Sequence, residues 1–242
     1  MIANGELGLN SSPKLISFEL CPFVQRSAIV MLERGIKFDI EYIDLANPPD
    51  WFLDLSPNKK VPLLLVEGQM LFDSVAINEY LEDAWPGGLH PANLIQRARH
   101  RAWIEFSNGC MWAAFHLSVK PTAEEFATVL ADLHAQFDYL ECHTIANPFF
   151  GGERFSLVDA SFAPLFQRLI YLDTLKPGVL DYKRHPAIVR WIFNLIDIDT
   201  VQASCVQNLA CLYQEMLWKR QGYISQFLDE KFKQTIAEKS IY

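Results

Sequence analysis

Along the first 85 residues the spacing of apolar side chains changes period several times. Lys14–Leu20 alternates, with Ile16, Phe18 and Leu20 on one face, and predicts a strand. From Phe23 to Arg34 the apolar positions Val24, Ala28 and Met31/Leu32 recur at helical spacing, and Gly35 stops the run. Phe38–Asp44 alternates again, setting Phe38, Ile40 and Tyr42 against Asp39 and Glu41. A short helix opened by proline fits Pro49–Leu55. Val61–Val66 is continuously apolar and reads as a buried strand whose first residues, at Pro62, cannot pair normally. Glu67-Gly68-Gln69 turns into Met70–Phe72, and Val75, Ile77 or Asn78, and Leu81 describe a helix to Trp85. The order β-α-β-α-β-β-α predicts a parallel first pair with a right-handed crossover and a closing antiparallel hairpin.

Pro86-Gly87-Gly88 and His90-Pro91-Ala92-Asn93 form the clear linker, and beyond them strand signals vanish. Thr122-Ala-Glu-Glu125 is a capping box opening a helix with Phe126, Val129/Leu130, Leu133, Phe137 and Leu140 on one face. Ser156-Leu-Val-Asp159 opens another, with Phe155 placed to staple back onto it, and Pro186 suits the first turn of a third. A long helical pattern runs from about Val201 to Gln221, and Ile224–Tyr242 is amphipathic and charged. The expected organisation is a small α/β domain over 14–85, an all-helical domain over 94–222 and a tail over 223–242 that is helical or frayed.

Composition narrows the function classes. With 242 residues, 50% of them hydrophobic and 21% charged, the chain can bury a sizeable core and does not suit disorder. A net charge of −8 offers no basic face for nucleic acid, and Arg97–Arg99–His100–Arg101 reads as a solvated helix face. No apolar run approaches the roughly 18–20 residues of a membrane span, and Met1–Pro13 lacks the apolar stretch of a signal peptide. Five scattered cysteines imply neither a disulfide framework nor a metal site. The expectation is a reduced, cytoplasmic protein without metal, nucleic-acid or membrane partners.

Three places carry candidate chemistry. Cys21 stands where the first strand hands over to the first helix, so the helix dipole and free N–H groups favour its thiolate. Val24 replaces the second cysteine of a dithiol motif, so any redox cycle needs an external thiol. Val61-Pro62 at a strand start is either cis, presenting the Val61 backbone to a peptide, or an ordinary trans edge proline, and spacing alone favours trans. Asp73-Ser74 opens a helix: Ser74 can cap it, its N–H groups can take a carboxylate, and Asp73 can hold an ammonium, or the pair is a simple cap.

Together these segments resemble the glutathione transferase superfamily, from about Lys14 to Gln221. Cys21-Pro-Phe-Val-Gln-Arg26 is similar to the signature of the cysteine-type classes, namely omega, lambda and the plant dehydroascorbate reductases. Ser56-Pro-Asn-Lys-Lys-Val-Pro-Leu63 resembles the segment holding the family's cis-proline. Asp73-Ser74 stands where most members have Glu-Ser, and Phe155-Ser-Leu-Val-Asp-Ala160 resembles the helical domain's capping box.

The resemblance implies a thioredoxin-like α/β domain followed by an all-α domain, the glutathione transferase fold, working as a homodimer. It implies glutathione as co-substrate and Cys21 as the catalytic thiol that forms a mixed disulfide with it. Phe23, Lys60 (with Lys59 as fallback), Val61, Pro62, Asp73 and Ser74 would bind glutathione, with the Val61 main chain on its cysteinyl part. An electrophilic, disulfide or oxidised acceptor would lie between the domains near Trp112 and Phe115, with Phe23 also a candidate there. Met111 and His116 read as core or surface residues. Phe18 removes a tyrosine nucleophile, and Ser17 remains a weak alternative to Cys21. Two departures stand out: Asp73 is one methylene shorter than glutamate, and Pro48 takes the place of the omega-class lysine. Conventional conjugation to electrophiles and a non-enzymatic interaction protein are the rival readings.

Overall fold

A computed structural model describes residues 12–85, 87–144 and 147–239. The first half runs β1 (Lys14–Ser17), α1 (Pro22–Glu33), β2 (Asp39–Tyr42), α2 (Asp50–Leu55), β3 (Leu63–Val66), β4 (Gln69–Phe72) and α3 (Ser74–Ala84). The sheet order is β2-β1-β3-β4, with β1 parallel to β2, and β3 antiparallel to both β1 and β4. This is the connectivity the periodicity predicts. The strands are shorter than the alternating runs, for local reasons. β1 stops at Ser17 because the Phe18 carbonyl accepts the Cys21 N–H at 2.9 Å, which turns Phe18–Leu20 into α1. β3 begins only after Pro62, which has no N–H for a ladder.

The second half is helical: α4 (Leu94–Val119), α5 (Ala123–Glu141), α6 (Leu157–Leu175), α7 (Pro186–Ile196), α8 (Asp199–Ala203) and α9 (Leu209–Arg220). A 3-10 helix (Tyr223–Phe227) and α10 (Glu230–Lys239) follow. The caps are those the sequence offers. Asn93 accepts from the N–H groups of Ile95 and Gln96, and Thr122 from that of Glu125. Ser156 and Asp159 close their box reciprocally. The expected single helix over Val201–Gln221 is instead broken into α8 and α9. Ser204 turns inward there, its hydroxyl donating to the Val201 carbonyl and accepting from the Gln25 amide.

Helix α1 is buried on more than its sheet face: Val24 through Met31 are all buried, including Gln25, Arg26 and Ser27. Periodicity marks the side against the sheet, whereas the polar side packs on α6 and α4. The two halves are latched at their far edge as well. Glu82 of α3 pairs with buried Arg34 at 2.8 Å and accepts the linker N–H groups of Leu89 and His90 at 2.8 and 3.0 Å. The basic cluster of α4 forms a partly solvated helix face that pairs with carboxylates of α3 beside this latch. Arg97 pairs with Asp83 and Arg101 with Glu79, and both Arg99 and Arg101 are exposed. Two expectations fall outside the described residues, the N-terminal segment up to Ser11 and Pro86 of the linker. Among the described residues no helix is long and apolar enough to cross a membrane, and no cluster of three or more acidic, histidine or cysteine side chains could hold a metal ion.

Candidate active site

Cys21 is the N-cap residue of α1, half-buried, with extended backbone and Pro22 in the first turn behind it. Its sulfur faces the Val61 carbonyl oxygen at 4.0 Å. Burial pushes the thiol above its ordinary value. The backbone N–H groups of Val24 and Phe23, and the guanidiniums of Arg168 and Arg26, act in the opposite direction. The expected dipole and N–H effects are therefore present, but desolvation outweighs them, and the expectation of a thiolate in the free protein is corrected accordingly.

The Val61-Pro62 bond is cis, which corrects the reading from spacing alone. Val61 lies two residues before β3 begins, just ahead of the proline, so its backbone stays outside the ladder and beside the cysteine. The preceding loop is tied by Ser56, whose hydroxyl accepts the Lys60 N–H at 3.0 Å and donates to the Lys60 carbonyl at 3.1 Å. Lys59 and Lys60 are both exposed. Lys59 has φ 51, a left-handed conformation that the Ser56 tether holds.

At α3 the capping roles are reversed from those expected. Asp73, not Ser74, is the N-cap: one of its carboxylate oxygens accepts the N–H groups of Val75 (2.8 Å) and Ala76 (3.2 Å). Ser74 is the first helical residue and is buried. Asp73 has φ 70, in the region that favours glycine, and the two cap bonds offset that strain. With the Val75 and Ala76 N–H groups occupied, the terminus offers an anion the N–H and hydroxyl of Ser74, while the second Asp73 oxygen remains for a cation.

Beside Cys21 opens a mainly apolar cleft of about 370 Å³ between α1, α4, α6 and α9. Phe23, Trp112 and Phe115 all line it. Phe23 and Trp112 sit 6.2 Å apart, Trp112 and Phe115 stand edge-on at 5.9 Å, and the Arg26 guanidinium lies 5.0 Å over the Phe23 ring. Met111 is core and also lines the cleft, whereas His116 is exposed beside Phe115. Ser17 is buried in β1 with its hydroxyl on the Phe18 carbonyl, so it does not face the cleft.

The sequence matches the glutathione S-transferase N-terminal domain over residues 20–84 and the C-terminal domain over 98–192. It is 31% identical to human glutathione S-transferase omega-2 over 186 residues, covering 74% of each chain. The chain belongs to the glutathione S-transferase family. The crystal structure of glutathione transferase Omega 3C from Trametes versicolor superposes with a TM-score of 0.73 at 26% identity, covering 81% of this chain and 89% of that one. Rice GST1 (OsGSTU1), solved in complex with glutathione, shares the fold with a TM-score of 0.74 at 24% identity, covering 86% of this chain and 97% of that one. Membership makes this protein a glutathione-dependent transferase or reductase.

In this transferase the sequence pattern did not reveal the polar residues deep in the cleft. Arg168 donates to the Leu20 carbonyl at 3.2 Å, to the Pro164 carbonyl at 3.1 Å and to the Gln25 side chain. The Tyr213 hydroxyl is 2.6 Å from that of Ser118, and burial raises its pKa to about 12. Arg168 and Tyr213 sit on helices whose inward residues around them are mostly apolar, and nothing in their spacing marks them. The available signal was a lone arginine inside the apolar run Phe162–Leu172.

Proposed function

We propose that this transferase works as a glutathione-dependent thiol transferase with Cys21 as nucleophile. The observation that carries the reading is the Cys21 sulfur at a helix N-terminus, facing the Val61 carbonyl beside the cis proline. Cys21 loses its proton, and the thiolate attacks the glutathionyl sulfur of a mixed disulfide. The acceptor's own sulfur leaves as a thiolate and Cys21–S–S–glutathione forms. A second glutathione thiolate then attacks the glutathionyl sulfur, releasing glutathione disulfide and regenerating the Cys21 thiolate.

Glutathione carries two carboxylates and one ammonium, and the surrounding groups complement them. Lys60, with Lys59 next to it, faces the glycyl carboxylate. The Val61 main chain pairs with the cysteinyl part, packed against Pro62 and Phe23. The N–H and hydroxyl of Ser74 take the γ-glutamyl carboxylate, and the free Asp73 oxygen takes its ammonium. The α/β half supplies this site, the helical half supplies the acceptor wall at Trp112 and Phe115, and two copies of the chain pair in solution.

A second reading rests on the raised Cys21 thiol. A neutral S–H donates a hydrogen bond to bound glutathione thiolate and thereby supports conjugation to electrophiles. Two substitutions separate the readings. Cys21→Ser keeps a hydroxyl donor and removes the nucleophile, and Cys21→Ala removes both. Loss of deglutathionylation by at least about 100-fold in both variants is expected for nucleophilic catalysis. Full activity in either variant contradicts it, and conjugation retained only by the serine variant supports the second reading.

A further inference from the structure

Among the described residues the buried charge of Arg168 is not matched by any acidic partner. Its residue is 4% exposed, and it lines the cleft beside Cys21. A guanidinium has five N–H donors. Three are taken here, by the Gln25 amide oxygen and the carbonyls of Pro164 and Leu20, and all three acceptors are neutral. The ionisable groups facing it are Tyr213, Cys205, Tyr171 and Cys21, none of them a carboxylate. The other buried arginines differ. Arg34 pairs directly with Glu82, and Arg26 reaches Glu105 through the Asn108 side chain. An unmatched buried cation is costly, so proteins rarely leave one without an anion in the working state.

Burial holds free Cys21 toward its neutral thiol, so only a thiolate formed during turnover can balance Arg168. Once Cys21 is bound into a disulfide it carries no charge, and Arg168 then faces the cleft unopposed. The exposed Arg220 lines the same cleft and adds a second cation, and the Ser118–Tyr213 hydroxyl pair adds neutral hydrogen-bonding groups. The remaining wall is apolar, with the rings of Phe18, Phe23, Trp112 and Phe115 beside aliphatic and methionine side chains such as Leu45 and Met216.

Building on the nucleophilic reading of Cys21, we propose that the cleft selects acceptors with an apolar, flat body and a carboxylate, and that Arg168 binds that carboxylate. The thiol leaving from Cys21 attack is then an aryl or similarly apolar thiol whose acidic group lies a short spacer from its sulfur.

The test compares two mixed disulfides of glutathione, one with 4-mercaptobenzoate and one with 4-mercaptobenzamide. Each kcat/KM is normalised to that acceptor's uncatalysed exchange with glutathione, which removes the difference in leaving-thiol acidity. The full-length protein is expected to favour the carboxylate by about tenfold or more, the range of a charge-assisted hydrogen bond. Arg168→Gln should bring the ratio within about threefold of one, and Arg168→Lys should leave it in between. The ratio, rather than the rate, is read because Arg168 also acts on the Cys21 thiol. Should Arg168→Gln not fold, benzoate inhibiting turnover of the neutral acceptor at least about tenfold more strongly than benzamide supports the proposal, and equal inhibition overturns it. A wild-type ratio near one, with both acceptors turned over, overturns the proposal and leaves the Cys21 reading standing. So does a tenfold ratio that Arg168→Gln does not change. Failure of either acceptor to react, with no glutathione on Cys21, overturns the Cys21 reading and this inference with it.

Discussion

At Cys21 two opposing effects meet, and their order has a measurable consequence. Burial disfavours the thiolate, while two backbone N–H groups and two guanidiniums favour it, and burial wins in the free protein. A raised thiol pKa means that the thiolate fraction at neutral pH lies below that of an ordinary cysteine and climbs as pH rises. Alkylation of Cys21 by iodoacetamide is therefore expected to accelerate with pH and to reach its half-maximum above the midpoint of a free thiol. A plateau already at neutral pH would show the electrostatic effects prevailing. The residue itself was legible in the sequence, because its place between a strand and a Pro-started helix is a local property. Its electrostatic environment was not. Arg168 and Arg26 reach it from α6 and from one turn along α1, and only the packed fold brings the former near. At α3, too, sequence showed the helix start but gave the cap to Ser74, whereas the Asp73 carboxylate takes the Val75 and Ala76 N–H groups.

Helix α6 is the central element, and its N-terminal box carries a pH dependence of its own. Asp159 accepts four hydrogen bonds, from the N–H groups of Phe150 and Ser156, the Ser156 hydroxyl and the Trp191 indole. Burial nonetheless outweighs them and raises it from 3.8 to about 6. An acid raised in the folded state contributes stability below its unfolded pKa and loses it as pH climbs through the folded one. The window is thus about pH 4 to 6, and a two-unit shift corresponds to about 3 kcal/mol. Urea unfolding at pH 4, 5.5 and 7 should show the wild-type advantage over Asp159→Asn shrinking with rising pH. A pH-independent difference would contradict it. Elements of this kind were read well from sequence because caps are short-range signals. The break between α8 and α9 was missed because Ser204 leaves the helix for a partner, Gln25, that is distant in sequence.

For the molecule as a whole, the cleft exists only because the two halves are held together. Glu82 joins α3, the Arg34 end of α1 and the linker, with side chains of Arg34 and Glu82 only 4% and 5% exposed. Glu82→Gln strips the counter-charge from a buried cation and is expected to cost about 3 kcal/mol in urea unfolding. A change below about 0.5 kcal/mol would show that the latch carries little. The proposed glutathione face could be read because a strand, a proline and a helix start lie in sequence order along one half. The cleft beside Cys21 was legible only in its aromatics, since its walls come mainly from four helices far apart in the chain.

The central claim is that Cys21 itself becomes disulfide-bonded to glutathione. Intact-protein mass spectrometry after incubation with glutathione disulfide tests it directly, followed by peptide mapping of the five cysteines. A single glutathionyl adduct mapping to Cys21, lost on adding reduced glutathione and absent in Cys21→Ala, is the expected result. No adduct, or one that persists in Cys21→Ala, would contradict the account.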